Sequence, residues 1–206
     1  MPRPKHSDPA KTFAAIVDAA VVVLQEQGPN HVSLRRVSEA SGLSMGTLTY
    51  YFPNRQDLVE ACLDVHYQHI SAGILEFHAA VTEGPVDAAL IRHHVGRLVD
   101  IAFADRSFLQ LRALVMAEAQ QYHPGRLNEH LLPTLDLAVK SLAEAVGVEP
   151  LEVRLAALTY NYAVARYAVL TDEELTAFTG IDTLDKARAR VREHIAEGVC
   201  RAFRLA

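Results

Sequence analysis

The sequence predicts an all-α protein, with a three-helix head containing a helix-turn-helix and a larger helical body behind it. Three observations carry this prediction. Apolar residues recur at helical spacing along most of the 206 residues. Prolines and glycines stand between the periodic stretches, where helices stop. No segment shows the alternation of a half-buried strand. The head is expected over residues 1–54 and the body over 55–206.

The head reads in order. Residues 1–8 form a basic arm. A helix follows from Pro9 to Gln27, with Phe13, Ile16, Val17, Ala20 and Leu24 on one stripe, and Gly28-Pro29-Asn30 breaks it. Ser33 is an N-cap for a helix over Leu34–Ser41, because its hydroxyl can accept an orphan backbone N–H. Leu34, Val37 and Ala40 share the inner face of that helix. Gly42 stands where a left-handed residue ends it, and Leu43 fills the angle to the next. Ser44 caps a second helix over Met45–Tyr51. Its outer face is small and polar: Ser44, Gly46 and Thr47. Gly46 is a poor helix former, and close approach of the helix end to a DNA backbone is a reason for it. Pro53 stops the helix. Asn54 caps the next one, with Asp57 three residues on in the manner of a capping box. Two short helices joined by a tight turn, then an aromatic triplet, are the layout of a motif that lays its second helix in a DNA major groove.

The body reads as helices separated by Pro85, Pro124, Gly147, Pro150 and Gly180. The helix opened by Arg55 continues to about residue 77, and others cover 86–103, 106–121, 125–146, 150–170 and 183–204. Pro133 should kink or divide the 125–146 helix. Asp172-Glu173-Glu174 is expected to be a solvated loop.

Composition limits the function. Half of the residues are hydrophobic, enough for a substantial core, and the net charge is −5. The charge is unevenly placed: residues 1–56 carry six basic and four acidic side chains, while the remainder carries fourteen and twenty-one. A basic head on an acidic body sets which end meets phosphate. Cys62 and Cys200 lack metal-type spacing, which indicates a reducing, cytoplasmic setting. No signal peptide is visible, and no stretch is long enough to span a bilayer, so no membrane partner is expected. There is no glycine-rich phosphate loop, nucleophile elbow or His-Glu-x-x-His, so no catalytic residue and no cofactor is assigned. His66 with His69, and His93 with His94, raise a metal-responsive alternative. Adjacent histidines diverge and no cysteine joins them, so no metal site is assigned.

The pattern from Ile16 to Leu58 resembles the TetR family of transcriptional regulators. The resemblance rests on Ala19-Ala20, Leu24, Gly28, the Val-Ser-Leu-Arg run, Gly42-Leu43-Ser44, Gly46-Thr47-Leu48, Tyr50-Tyr51-Phe52 and Asn54-Arg55, about a fifth of the chain. It departs at Thr49, where the family usually carries an aromatic residue, and this leaves the base preference open. The resemblance implies a homodimeric, ligand-responsive repressor of a palindromic double-stranded operator. Arg35 is the expected base contact, since arginine pairs bidentately with guanine. Ser44, Met45, Thr47 and Thr49 add base or methyl contacts, and Gly46 permits close approach. Arg36, Tyr50, Tyr51, Asn54 and Arg55 hold phosphates, while Phe52 turns into the head's core.

For the body, the resemblance implies a dimer formed by the last two helices. Leu184, Val191, Ile195, Val199 and Phe203 form one candidate stripe; Leu151, Leu155, Leu158, Tyr162 and Tyr167 form another. By themselves these residues show only amphipathic helices, which also pack inside a single chain. The resemblance further implies a small-molecule effector in the body, with Tyr67, Ile70, His94, Leu98, Met116, Gln120 and Asn161 as candidate lining. The competing readings are a small-molecule-binding protein that has lost its operator and an α-helical enzyme.

Overall fold

The structure, a computed structural model, describes residues 8–119, 129 and 131–205. Every regular element among these residues is helical. The chain divides into two compact units, residues 1–66 with 110–121, and residues 67–109 with 122–206.

In the first unit, α1 (Pro9–Gln27) starts where the Asp8 carboxylate accepts the Ala10 N–H at 3.1 Å. Pro9 lies in the first turn, where its missing N–H is no loss. Ile16, Ala20 and Leu24 are fully buried, with Val17 and Val23 close to it. A single 3-10 turn, Pro29–His31, leads to α2 (Leu34–Ser41) and α3 (Met45–Tyr51). α4 (Arg55–Glu83) begins in this unit, and its Leu58, Val59, Ala61, Cys62 and Leu63 are buried. The division into compact units falls after His66, inside α4. The cause is that the first turns of α4 bury their own apolar face within the head. Burial pushes the Cys62 thiol up to about 12, with the charge of Asp64 adding to the effect, so it stays protonated.

In the second unit stand the rest of α4, α5 (Ala88–Ala104), α7 (Leu132–Val146), α8 (Pro150–Val169), α9 (Asp172–Thr179) and α10 (Leu184–Ala202). α6 (Arg106–Ala119) begins in this unit and ends in the first. One core gathers Val81, Ile91, Val139, Leu142, Val153, Val199 and Phe203. A second gathers Val99, Leu170, Leu175, Ala187, Val191 and Ile195. α10 supplies both. The stripe of Val191, Ile195, Val199 and Phe203, a candidate for crossing a dimer axis, is at most 9% exposed within its own chain, and Leu184 packs against the second core. The correction has a simple cause: an amphipathic stripe does not declare which apolar surface will cover it, and here α5, α8 and α9 do.

Two further expectations change. The acidic run at 172–174 is no loop but the first turn of α9. Thr171 accepts the Glu174 N–H at 3.1 Å, and the Glu174 carboxylate accepts the Thr171 N–H at 2.8 Å, a capping box that anchors buried Leu175. Asp172 also receives Arg106 at 3.0 Å and Arg188 at 3.5 Å. Pro133 does not kink a helix. It occupies the first turn of α7, where proline is tolerated. Residues 120–128 and 130, parts of the expected 106–121 and 125–146 helices, lie outside the described residues. No helix among the described residues is long and apolar enough to cross a membrane.

Ile195, 2% exposed in the second core, gives a direct test of this packing. Ile195→Ala is expected to lower the stability of the second unit by about 2–5 kcal/mol, read from urea-induced unfolding.

Candidate nucleic-acid interface

Four serine hydroxyls shape the corner between α2 and α3. Ser33, in extended backbone, accepts the Arg36 N–H at 3.3 Å and starts α2. Gly42 closes α2 at φ 69°, a left-handed conformation that glycine adopts without a Cβ penalty. The Ser38 hydroxyl donates to the Leu43 carbonyl at 2.6 Å, and the Ser41 hydroxyl accepts the Leu43 N–H at 3.3 Å. Ser44 then accepts the Thr47 N–H at 3.1 Å and starts α3. Val37 and Leu48 are each fully buried, one from each helix. Ala40, expected on the inner face of α2, is exposed; α2 needs only Val37 and half-buried Leu34 to seat it.

The outer face of α3 is open. Ser44, Met45, Gly46, Thr49 and Tyr50 are exposed, and Thr47 is half-buried. A Cβ on Gly46 would meet only the Ser44 Oγ, at 3.8 Å. Nothing among the described residues requires a glycine there. The Thr49 hydroxyl donates to the Met45 carbonyl at 2.9 Å, with the Gly46 carbonyl at 3.3 Å. Its one proton is engaged, so what Thr49 presents outward is a methyl group and lone pairs.

The aromatic triplet separates by environment. Phe52 is 3% exposed and its ring lies 5.2 Å from that of Phe13, as expected of a core residue. Tyr50 is 80% exposed. Tyr51 lies between them, edge-on to Tyr50 at 5.2 Å and to Phe13 at 6.4 Å.

Charge is supplied by Arg35 and Arg36 in the first turn of α2, both exposed. Arg35 Nε donates to Glu39 at 3.1 Å with its side chain 86% exposed. An exposed i, i+4 pair of this kind is worth about 0.3–0.5 kcal/mol, so the Arg35 guanidinium leaves Glu39 at small cost. Asn54 is a helix cap: its side-chain oxygen accepts the Asp57 N–H at 2.9 Å and its amide donates to the Asp57 carboxylate at 3.0 Å. Arg55, grouped in sequence with the phosphate contacts, is used internally. Its Nε donates to the Val32 carbonyl at 2.8 Å. That partner is 23 residues away, beyond the reach of any local pattern.

In the second unit the candidate effector residues do not share one environment. Tyr67 is 5% exposed and Ile70 is half-buried. Leu98 is a packing residue, since a Cβ on Gly73 would lie 2.9 Å from its Cδ2; α4 and α5 approach closely there. The ring of His94 lies 5.7 Å from Phe77 and 4.9 Å from His93. Burial, and then the charge of His93, hold the His94 imidazole below its ordinary range. Asn161 is exposed on α8 and Met116 is exposed in the first unit, because helix phase read from sequence did not fix which side each helix buries. Gln120 lies outside the described residues. His66 is fully buried, and His69 faces the Asp105 carboxylate at 3.1 Å. Among the described residues, no group of three or more His, Cys, Asp or Glu stands where it could hold a metal ion.

Comparison with known proteins agrees with this geometry. Residues 16–62 match the model of the bacterial regulatory proteins of the tetR family. Over 82 residues the chain is 39% identical to the HTH-type transcriptional repressor LfrR of Mycolicibacterium smegmatis, a match covering 40% of this chain and 41% of that repressor's length. The fold matches a TetR-family regulator from Streptomyces coelicolor with a TM-score of 0.64, at 15% identity, over 94% of this chain and 82% of the other. It also matches FadR from Bacillus subtilis, solved in complex with stearoyl-CoA, with a TM-score of 0.56 at 18% identity over 90% and 98% of the two chains.

Proposed function

We propose that the chain, whose residues 16–62 match the model of the bacterial regulatory proteins of the tetR family, is a dimeric, ligand-responsive transcriptional repressor. The observation that carries the reading is the outer face of α3, capped at its start, seated by Leu48, and open from Ser44 to Tyr50. Two heads of a dimer would place their α3 helices in successive major grooves about 34–36 Å apart on a near-palindromic operator. Arg35 would read a guanine, with Ser44, Met45 and Thr47 beside it. Thr49, its hydroxyl proton engaged, would offer its methyl group to a thymine. Tyr50, Tyr51, Arg36 and the Asn54 amide would hold phosphates, and Gly46 would let the backbone of α3 approach the DNA closely.

The dimer surface that fits best is α8. Leu151, Leu155, Leu158 and Tyr162 recur at helical spacing and are 61%, 49%, 45% and 59% exposed. Four large apolar side chains along one helix exceed the scattered exposure normal for a monomer. That the fold-matched FadR was solved in complex with stearoyl-CoA supports a small-molecule effector for this chain. Such a ligand releases DNA only if it binds the released conformation more tightly. A 100-fold difference between the two states supplies about 2.7 kcal/mol.

The reading is tested by selecting bound duplexes from a random pool at moderate salt. An enriched inverted repeat is expected; no enrichment from folded, dimeric protein favours a chain that binds ligands but has lost its operator. On the selected duplex, Arg35→Ala is expected to cost about 1–3 kcal/mol and relax preference at one base pair, measured by titration against single-base variants. Replacing Leu155 and Leu158 by Glu is expected to leave a folded monomer by sedimentation, with operator affinity at least about tenfold weaker. A dimer that survives this change places the interface elsewhere.

A further inference from the structure

Arg55 opens α4 and reaches back across the head. Its Nε donates to the Val32 carbonyl at 2.8 Å, and its NH2 group lies 3.5 Å from the Pro29 carbonyl. Its NH1 group lies 3.7 Å from the Glu118 carboxylate on α6. Val32 is fully buried and directly precedes Ser33, the cap of α2. One side chain thus ties the turn between α1 and α2 to the start of α4, and a third element, α6, holds the far side of the same guanidinium. The planar fork suits this task, since it presents several N–H groups in fixed directions. A phosphate ligand presents its Nε–NH2 edge outward; here that edge is turned onto two backbone carbonyls, while the side chain as a whole keeps 39% exposure.

We propose that Arg55 is a positioning residue of the DNA-binding head, setting where α2 begins relative to α4, and that Glu118 tunes it from α6. The inference rests on the operator-binding reading and specifies how that site is held. Glu118 is 56% exposed and 3.7 Å away, so it orients the guanidinium by charge and not through a short bond. A small displacement of α6 changes that pull while leaving the Val32 bond intact. Residues 110–121 belong to the head unit, so Glu118 and Arg55 lie in the same compact unit.

The test uses the full chain and the duplex from the selection. Hydrogen exchange over residues 28–34 and operator affinity at several salt concentrations are measured for Arg55→Ala, Arg55→Lys and Glu118→Gln. Arg36→Ala provides the phosphate-contact comparison. Arg55→Ala is expected to speed exchange over 28–34 and weaken the operator about tenfold with an unchanged salt slope, whereas Arg36→Ala lowers the slope by about one. Arg55→Lys keeps the charge but cannot span both carbonyls, so it restores neither exchange nor affinity fully. Glu118→Gln speeds exchange in the same segment, less than Arg55→Ala does. A salt slope that falls by about one for Arg55→Ala, with exchange unchanged and full rescue by lysine, makes Arg55 a phosphate ligand and overturns the proposal. Unchanged exchange and affinity in Glu118→Gln overturns the part given to Glu118. Should the unaltered protein bind no duplex, the operator reading fails and the exchange rates alone decide the role of Arg55. Should Arg55→Ala not fold, the Arg55→Lys and Glu118→Gln comparisons carry the decision.

Discussion

A seven-residue helix does not hold itself together in water, because the cost of nucleating a helix is recovered only over about 12–15 residues. α3 is such a helix, and the rest of the head can be understood as the means of keeping it formed. Ser44 satisfies an N–H at its start, and Leu48 is buried beneath it. Phe52, immediately after it, is inserted beside Phe13. The Leu43 backbone before it is bonded at both its N–H and its carbonyl by serine hydroxyls. With its inner side so occupied, α3 keeps its outer side free of any structural duty, and that freedom is what an operator-reading surface requires. The open space at Gly46 and the inward hydrogen bond of Thr49 belong to the same division: the polar needs of the helix are met from within, leaving small and methyl-bearing groups outward.

The second unit applies a different economy. α10 is buried on two sides, contributing Val199 and Cys200 to one core and Val191 and Ile195 to the other. A helix already committed to two cores has little apolar surface left for a partner. α8 contributes Val153 and Ala168 inward and keeps Leu151, Leu155, Leu158 and Tyr162 outward. The pairing of these two helices therefore separates tasks that the sequence alone made look interchangeable, with α10 holding the unit together and α8 bearing the surface that remains apolar and uncovered.

The elements that were legible in sequence are those whose signals are local. Ser33 and Ser44 are caps in the structure because a side-chain oxygen needs only an N–H three residues ahead. Gly42 adopts the left-handed conformation its position implied. α9 was equally legible in the Thr-x-x-Glu pattern of Thr171 and Glu174, but a run of acids that complements a helix N-terminus also looks like a solvated loop. The partners of Arg55 had no such signal. Its charge and its place in the motif pointed outward, while the acceptors that claim it lie on a turn 23 residues earlier.

The sequence by itself determined that the chain is helical and where most helices start and stop. Caps, helix breakers and apolar period act within a turn or two of the chain, so they survive without knowledge of the fold. Only the tertiary structure decided that the head extends through the first turns of α4, that the stripe on α10 is core and the stripe on α8 is surface, and that Arg55 serves the backbone. Each of those outcomes depends on which distant surface or carbonyl wins a side chain, a competition between groups far apart in sequence that no local pattern encodes.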